Sequence, residues 1–386
     1  MKQLRKLLWL AGLLIGNGSH LAGAQIGHEQ LSEGEPGSTL KVKASFEARG
    51  AYDFKNYYAK PDFGPAAIPM GSDADNGNKS LFDIPSAVLS IEKELPVPGG
   101  DIIKVVIQTN LKKELTLKSV YADFKGFRIG KATSSFSDPD ACGLVGGRFL
   151  QARWQHKLTT PFSFAVAIEE TPDLVIYPKE KKDDRAKKPL QPTKNIPALS
   201  AHVRYEQEKL WHVQLGGLFR VLEYHNKNTK IDVYMPTWGV TISTALHLVP
   251  ERTTLKLQGV YGQGIGSYMA DIGDLETEDN TVYTTNTNNN DVSARTTLDA
   301  LGFAISAAHK WLPKLRSEVA YRLVSTIDNE REKDTYQYGH VTSCNLFYHP
   351  TEQVKIGAEY LIGIRKNITG DPKNAHRIQA VIGFDL

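Results

Sequence analysis

The stretch VKIGAEYLIGIR, from Val354 to Arg365, allows very few folds. Val354, Ile356, Ala358, Tyr360, Ile362 and Ile364 share one face of an extended chain, and Lys355, Gly357, Glu359, Leu361, Gly363 and Arg365 share the other. Successive side chains of a strand point to opposite faces, so this is a long ribbon with one apolar and one largely polar side. The final run RIQAVIGFDL repeats the pattern, with Ile378, Ala380, Ile382, Phe384 and Leu386 against Arg377, Gln379, Gly383 and Asp385. Strands of soluble domains average about five or six residues, whereas a tilted strand crossing a bilayer needs about 9–11. The pattern predicts an all-β chain folded as a transmembrane antiparallel β-barrel.

The chain opens MKQLRKLLWLAGLLIGNGSHLAGAQ. Lys2, Arg5 and Lys6 precede an apolar run from Leu7 to Ile15, and Ala22, Gly23 and Ala24 form a small-residue cleavage site before Gln25. This predicts a secretory signal peptide over 1–24. Residues 25–39 are polar and carry Gly and Pro, as in a mobile periplasmic lead-in, and 40–386 form a single barrel. No later stretch has the ~18 uninterrupted apolar residues of a membrane helix. An exported chain with long alternating strands is therefore expected in the Gram-negative outer membrane. A net charge of +3 and a negative mean hydropathy do not oppose this, because a polar lumen and polar loops dilute the lipid-facing band. Cys142 and Cys344 are too few for a disulfide framework, leaving one bridge after export or two unpaired thiols.

Alternation places strands at about 40–54, 84–95, 101–110, 113–125, 126–133, 147–158, 160–170, 198–206, 210–224, 234–248, 253–263, 297–310, 314–326, 335–348 and 352–366, with the final run closing a set of about sixteen. Tight turns such as FKG, LTTP, QEK, VPER and YHPTE alternate with longer polar connections, notably 55–83, 134–146, 171–197 and 264–296. Short periplasmic turns and long extracellular loops are the habit of outer-membrane barrels. Trp154, Trp211, Trp238, Trp311 and Tyr348 lie near strand ends, where aromatic girdles sit. The run PKEKKDDRAKKPLQPTK within 171–197 is read as a solvated surface loop rather than a nucleic-acid site. Separate β-domains would require linkers and shorter strands.

Four stretches, GFRIGKATSSFSDPDA (126–141), VYGQGIGSYMADI (260–272), HKWLPKLRSEVAYR (309–322) and NLFYHPTEQVKIGAEYLIGIR (345–365), resemble the DcaP-like trimeric porins of Gram-negative outer membranes. AYDFKNYYAKPDFGPAAIP (51–69) is similar to that family's first strand and external loop. The resemblance implies a sixteen-stranded barrel assembled as a homotrimer in outer-membrane lipid and passing small, often anionic solutes. The family's arginines before its FSDPD-type loop are replaced here by SAVLSI (86–91) and LTLKSV (115–120), leaving Lys118 and Arg128 as local cations.

No catalytic, metal or cofactor constellation stands out. GQGIG at 262–266 precedes no helical pattern, and the acidic residues between Asp271 and Asp279 lack EF-hand spacing. The polar strand faces instead supply a lumen in which basic residues, Lys256 and Lys355 among them, outnumber acidic ones such as Glu318 and Glu359. Rings of such charge set pore selectivity. The expected pore-lining residues are Lys118, Arg128, Arg153, Arg204, Arg220, Arg322 and Arg365, with Glu169 and Glu206 as neutralising partners. The 134–146 segment is the expected constriction loop. The function this predicts is passive diffusion of small hydrophilic, preferentially anionic, solutes without enzymatic chemistry. The alternatives are a plugged adhesin barrel acting through its external loops and an outer-membrane hydrolase.

Overall fold

The computed structural model describes residues 39–55, 57, 62–70, 78–112, 115–159, 161–170, 190–193, 196–207, 210–226, 230–272, 282–284, 295–327 and 335–386. The expected signal peptide, nearly all of the lead-in and most of 171–197 lie outside these residues. The strands are β1 Thr39–Lys55, β2 Lys79–Pro96, β3 Ile102–Asn110, β4 Thr116–Phe124, β5 Phe127–Thr133, β6 Arg148–Thr159, β7 Phe162–Glu169, β8 Leu190–Thr193, β9 Ala198–Gln207, β10 Trp211–Asn226, β11 Ile231–Val249, β12 Thr253–Gln263, β13 Val282–Thr284, β14 Arg295–Thr297, β15 Asp299–Leu312, β16 Leu315–Thr326, β17 Tyr336–Thr351, β18 Val354–Asn367 and β19 Lys373–Asp385.

Every neighbouring pair is antiparallel, and β1 pairs with both β2 and β19, from Ser45 opposite Asp385 to Lys55 opposite His376, so the sheet closes on itself. Leu386 and Ala44 exchange backbone hydrogen bonds at the seam. Of the 17 segments in this sheet, β8 pairs with the end of β10 beyond the stretch that β9 covers, leaving a ring of 16 strands. The short β13 and β14 pair only with each other, outside the ring.

The two faces of the wall follow the alternation in the sequence. Along β11, Trp238, Val240 and Ile242 point outward and are exposed, whereas Thr237, Thr241, Ser243 and Ala245 are buried inside. On β10, Leu215 and Phe219 face out, and His212, Gln214 and Arg220 are buried. A closed sheet leaves no unpaired edge, which is what permits strands to stand in hydrocarbon. Connections at one end are confined to 97–101, 125–126, 160–161, 208–210, 250–252, 313–314 and 352–353. At the other end, 56–78, 134–147, 170–197, 264–298 and 327–335 separate consecutive ring strands, although 111–115, 227–230 and 368–372 there are short too.

Candidate functional site

The 134–147 segment folds into the barrel, as its position and FSDPDA core lead one to expect, and is fixed at both levels. At its entry, the buried Glu169 carboxylate at the end of β7 accepts the Ser134 hydroxyl (2.8 Å), the Ser135 amide (2.9 Å) and the Ser200 hydroxyl of β9 (2.5 Å). Further along, Asp138 accepts from His212 Nε2 (2.9 Å, β10) and Ser243 Oγ (2.5 Å, β11), and it pairs with Arg204 (3.3 Å, β9). Asp138 also accepts the Asp140 amide at 3.0 Å, the local side-chain bond that lets an Asp-Pro-Asp sequence turn on itself. Burial on its own would raise the Asp138 pKa, but the bonds from His212, Ser243 and the Asp140 amide outweigh it and bring it to about 2. The segment then passes β12, where the Leu144 amide donates to Gln258 Oε1 (2.9 Å).

Apolar contacts hold the same loop down. Phe136 and Leu144 are wholly buried in a cluster with Leu218, Val260, Ala300, Ala304 and Val324 of the inner wall. Full burial of such a side chain is worth about 1.5–3 kcal/mol. The wall beneath is small because the loop needs the room. A Cβ on Gly239 would lie 3.1 Å from the Phe136 ring, and one on Gly302 would lie 3.0 Å from Leu144.

Two further segments enter the lumen where external loops are expected from the sequence. After β12, residues 264–272 turn inward. Val145 bridges Met269, the Gly146 amide donates to the Tyr268 carbonyl (2.8 Å), and Ile265, Tyr268, Met269 and Ile272 join the apolar cluster. After β1, Phe63 to Ile68 lie against β17 and β18, with Pro65 over Gly339 and Ile68 over Gly363. Tyr57 and Phe63 stack above the buried Arg377–Asp53 pair (2.7 Å). Burial pushes the Tyr57 phenol up to about 12.

The residues expected to line a pore separate into three groups. Arg220, Arg365 and Glu169 act as staples for the inward segments: Arg220 donates to the Gly264 carbonyl, and Arg365 donates to the carbonyls of Ala66 (2.5 Å) and Ile68 (3.3 Å). Arg128, Arg204 and Arg322 are neutralised. Arg128 forms a bidentate pair with Asp123 (2.6 and 2.7 Å), Arg322 one with Asp271 (3.0 and 3.1 Å), and Arg204 binds Asp138, Asp140 and Glu206. Arg153 lies directly opposite Arg128 in the ladder, and its buried Nε has no hydrogen-bond partner among the described residues. Lys118 stands apart at a register slip between β3 and β4, next to the buried Ser119. Asp138, Asp140 and His212 bring ligand atoms within 4.8 Å of one another, and Arg204 already supplies that cluster with a positive charge.

The free cysteines are on opposite sides of the wall. Cys344 is level with the outward Val319 and Tyr360. Cys142 lies on the inner side, in a lumen cavity of about 260 Å³ that is also lined by Phe63, Lys256, Ser306, Glu318 and Arg322. Burial pushes its thiol pKa up. The inward roles of 63–68 and 264–272 were missed, although both fall in stretches that carry the family resemblance.

No family model matches the chain, and no curated protein matches it in sequence. Solved structures do. The outer membrane channel DcaP of Acinetobacter baumannii superposes with a TM-score of 0.75 at 16% identity, covering 92% of this chain and 99% of that one. An anion-selective porin from Comamonas acidovorans gives 0.57 at 8% identity over 90% and 100% of the two chains. The trimer form of OmpT, an outer membrane protein of Vibrio cholerae, gives 0.53 at 10% identity over 90% and 99%. This chain has the fold of the DcaP channel, a closed antiparallel barrel of 16 strands.

Proposed function

We propose that the protein is an outer-membrane porin through which small hydrophilic solutes diffuse passively, with a preference for anions and without covalent chemistry. The observation that carries this is the inner cavity between loop 134–147 and the wall, lined by Lys256, Glu318, Arg322 and serine hydroxyls. Hydrophilic solutes cross only where such groups replace bulk water, and the charge on the lining sets the preferred sign. The anion preference rests on Arg153 and Lys256, because Arg128, Arg204 and Arg322 are paired with carboxylates. A barrel of this fold that is named as anion-selective supports the same sign.

The reading includes a homotrimer in lipid. Its support is a concave outer surface around Ala48, Gly50, Ala87 and Ala380, beside which Phe82 projects with 90% exposure. Small residues let a second protein surface approach closely within a bilayer. One observation favours the plugged-barrel alternative, namely the apolar cluster that three inward segments build inside the lumen. Recording in planar bilayers separates the two readings. A porin gives stable conductance steps and an anion-signed reversal potential in a KCl gradient, and a plugged barrel gives neither.

A further inference from the structure

The cavity beside Cys142 holds two opposite charges that do not meet. Lys256 of β12 is level with Ser306 of β15, which is level with Ala320 of β16, and Glu318 stands two residues further along β16. Their backbone positions are therefore on the order of 12 Å apart, two strand spacings across and one side-chain repeat along. Both side chains line the same cavity, and the ion pairs of the described residues do not join them. Among the described residues, Glu318 has one ion-pair partner, Arg316 at 3.7 Å, a half-exposed contact of the kind worth little. Lys256 enters no ion pair among the described residues, in contrast to the nearby Arg322, which Asp271 occupies.

We propose that this chamber is a binding site for a small zwitterion, a solute of amino-acid size whose carboxylate meets Lys256 and whose ammonium meets Glu318. A site that presents both signs separately favours a solute carrying both, because a simple anion leaves Glu318 facing a like charge. The size fits as well. A water occupies about 30 Å³ in the liquid, so about 260 Å³ has room for on the order of nine heavy atoms. Ser306 and Ser343 add hydroxyls along the wall. This inference rests on the lumen being open to solutes, as the porin reading requires.

Cys142 provides a reporter inside the site, and replacing Cys344 with serine leaves it as the single thiol. The folded barrel in detergent is labelled at alkaline pH, because burial raises the Cys142 pKa, with a thiosulfonate reagent that cannot cross lipid. Labelling is expected, slowed by added serine and not by equal acetate or ethylammonium. Lys256→Gln and Glu318→Gln should each weaken protection at least about tenfold, the usual worth of one hydrogen bond to a charged group. Labelling without protection by serine, or with equal protection by acetate, overturns the zwitterion site and leaves the porin reading standing. Failure to label until the barrel is unfolded overturns both.

Discussion

The two sides of the lumen are built by opposite rules. From β9 to β15 the inner positions beneath loop 134–147 include Gly216, Gly239, Gly302 and Ala304, and the charged Arg204 and Arg220 among them are tied to the inward segments. From β2 to β6 the inner positions carry long polar and charged side chains among shorter ones such as Ser90 and Ser119. They bond to one another in cross-strand pairs: Lys104 to Glu92 at 2.6 Å, Gln108 to Ser90 at 3.4 Å, and Arg128 to Asp123. One side is packed like a protein core, in which every methyl group is felt. The other is an open polar wall, where exposed pairs contribute about 0–1 kcal/mol. The same strand pattern thus serves two purposes, and substitutions should separate them.

The largest contrast is expected from carboxylates of similar sequence context. Glu169→Ala leaves the Ser134 and Ser200 hydroxyls and the Ser135 amide without their acceptor in a buried site. A loss of about 3 kcal/mol should follow, since hydrogen bonds to a charged group contribute ~1.5–3 kcal/mol each and their effects overlap. Glu206→Ala removes only an exposed partner of Arg204 and should cost less than about 1 kcal/mol. Urea unfolding in detergent measures both, and equal losses would break the distinction between clamp and rim.

Added volume should show the same asymmetry. A side chain at Gly302 would meet Val260 at 2.9 Å and both Leu144 and Met269 at 3.0 Å. Gly302→Val should therefore cost ~1–3 kcal/mol as overpacking and displace the loop, changing the conductance step. Ser90→Val, on the open wall, loses one long 3.4 Å bond and should shift stability by about 0.5 kcal/mol. If the conductance step is unchanged in Gly302→Val, the loop does not set the constriction.

The strands were legible because lipid outside and polar groups inside impose a period of two over ten or more residues, as in β18. The loop 134–147 was legible from its compact FSDPDA. What escaped was direction. Nothing local in KPDFGPAAIP or GIGSYMADI tells an inward loop from an external one, because the partners, Gly339, Gly363 and Arg365 for the first and Arg322 for the second, lie far along the chain. Charge carries no direction for the same reason. A guanidinium on a polar face reads alike whether it meets water, as at the rim, or a backbone carbonyl, as Arg220 does at Gly264.

Acid should release the clamped side before the open one. The Asp138 carboxyl, ordinarily near 3.8, is held at about 2 despite its burial by His212, Ser243 and the Asp140 amide. A depressed folded-state pKa gives stability that is complete above about pH 4 and lost as the pH falls through about 2, at most about 2 kcal/mol in all. Arg204, His212, Asp140 and Glu206 face the same knot, so the comparison is with Asp138→Asn, in which this share of the slope between pH 4 and 2 should disappear. An unchanged slope in Asp138→Asn would remove the knot from the account of the loop.

The smallest effect concerns selectivity and leaves stability nearly untouched. Arg153 shares the inner face of β5 and β6 with Arg128, but Asp123 neutralises only Arg128. At 0.01 M salt the Debye length is about 30 Å, so one uncompensated wall charge biases ions across a pore, whereas at 1 M it is about 3 Å and the bias fades. Arg153→Ala should move the reversal potential in a dilute KCl gradient towards cations. The double change Arg128→Ala with Asp123→Ala removes two longer side chains and no net charge, so it should leave the sign alone. Were the double variant to shift the potential as far as Arg153→Ala, pore width rather than unpaired charge would set the preference. The open wall would then matter for its shape, as the covered one does.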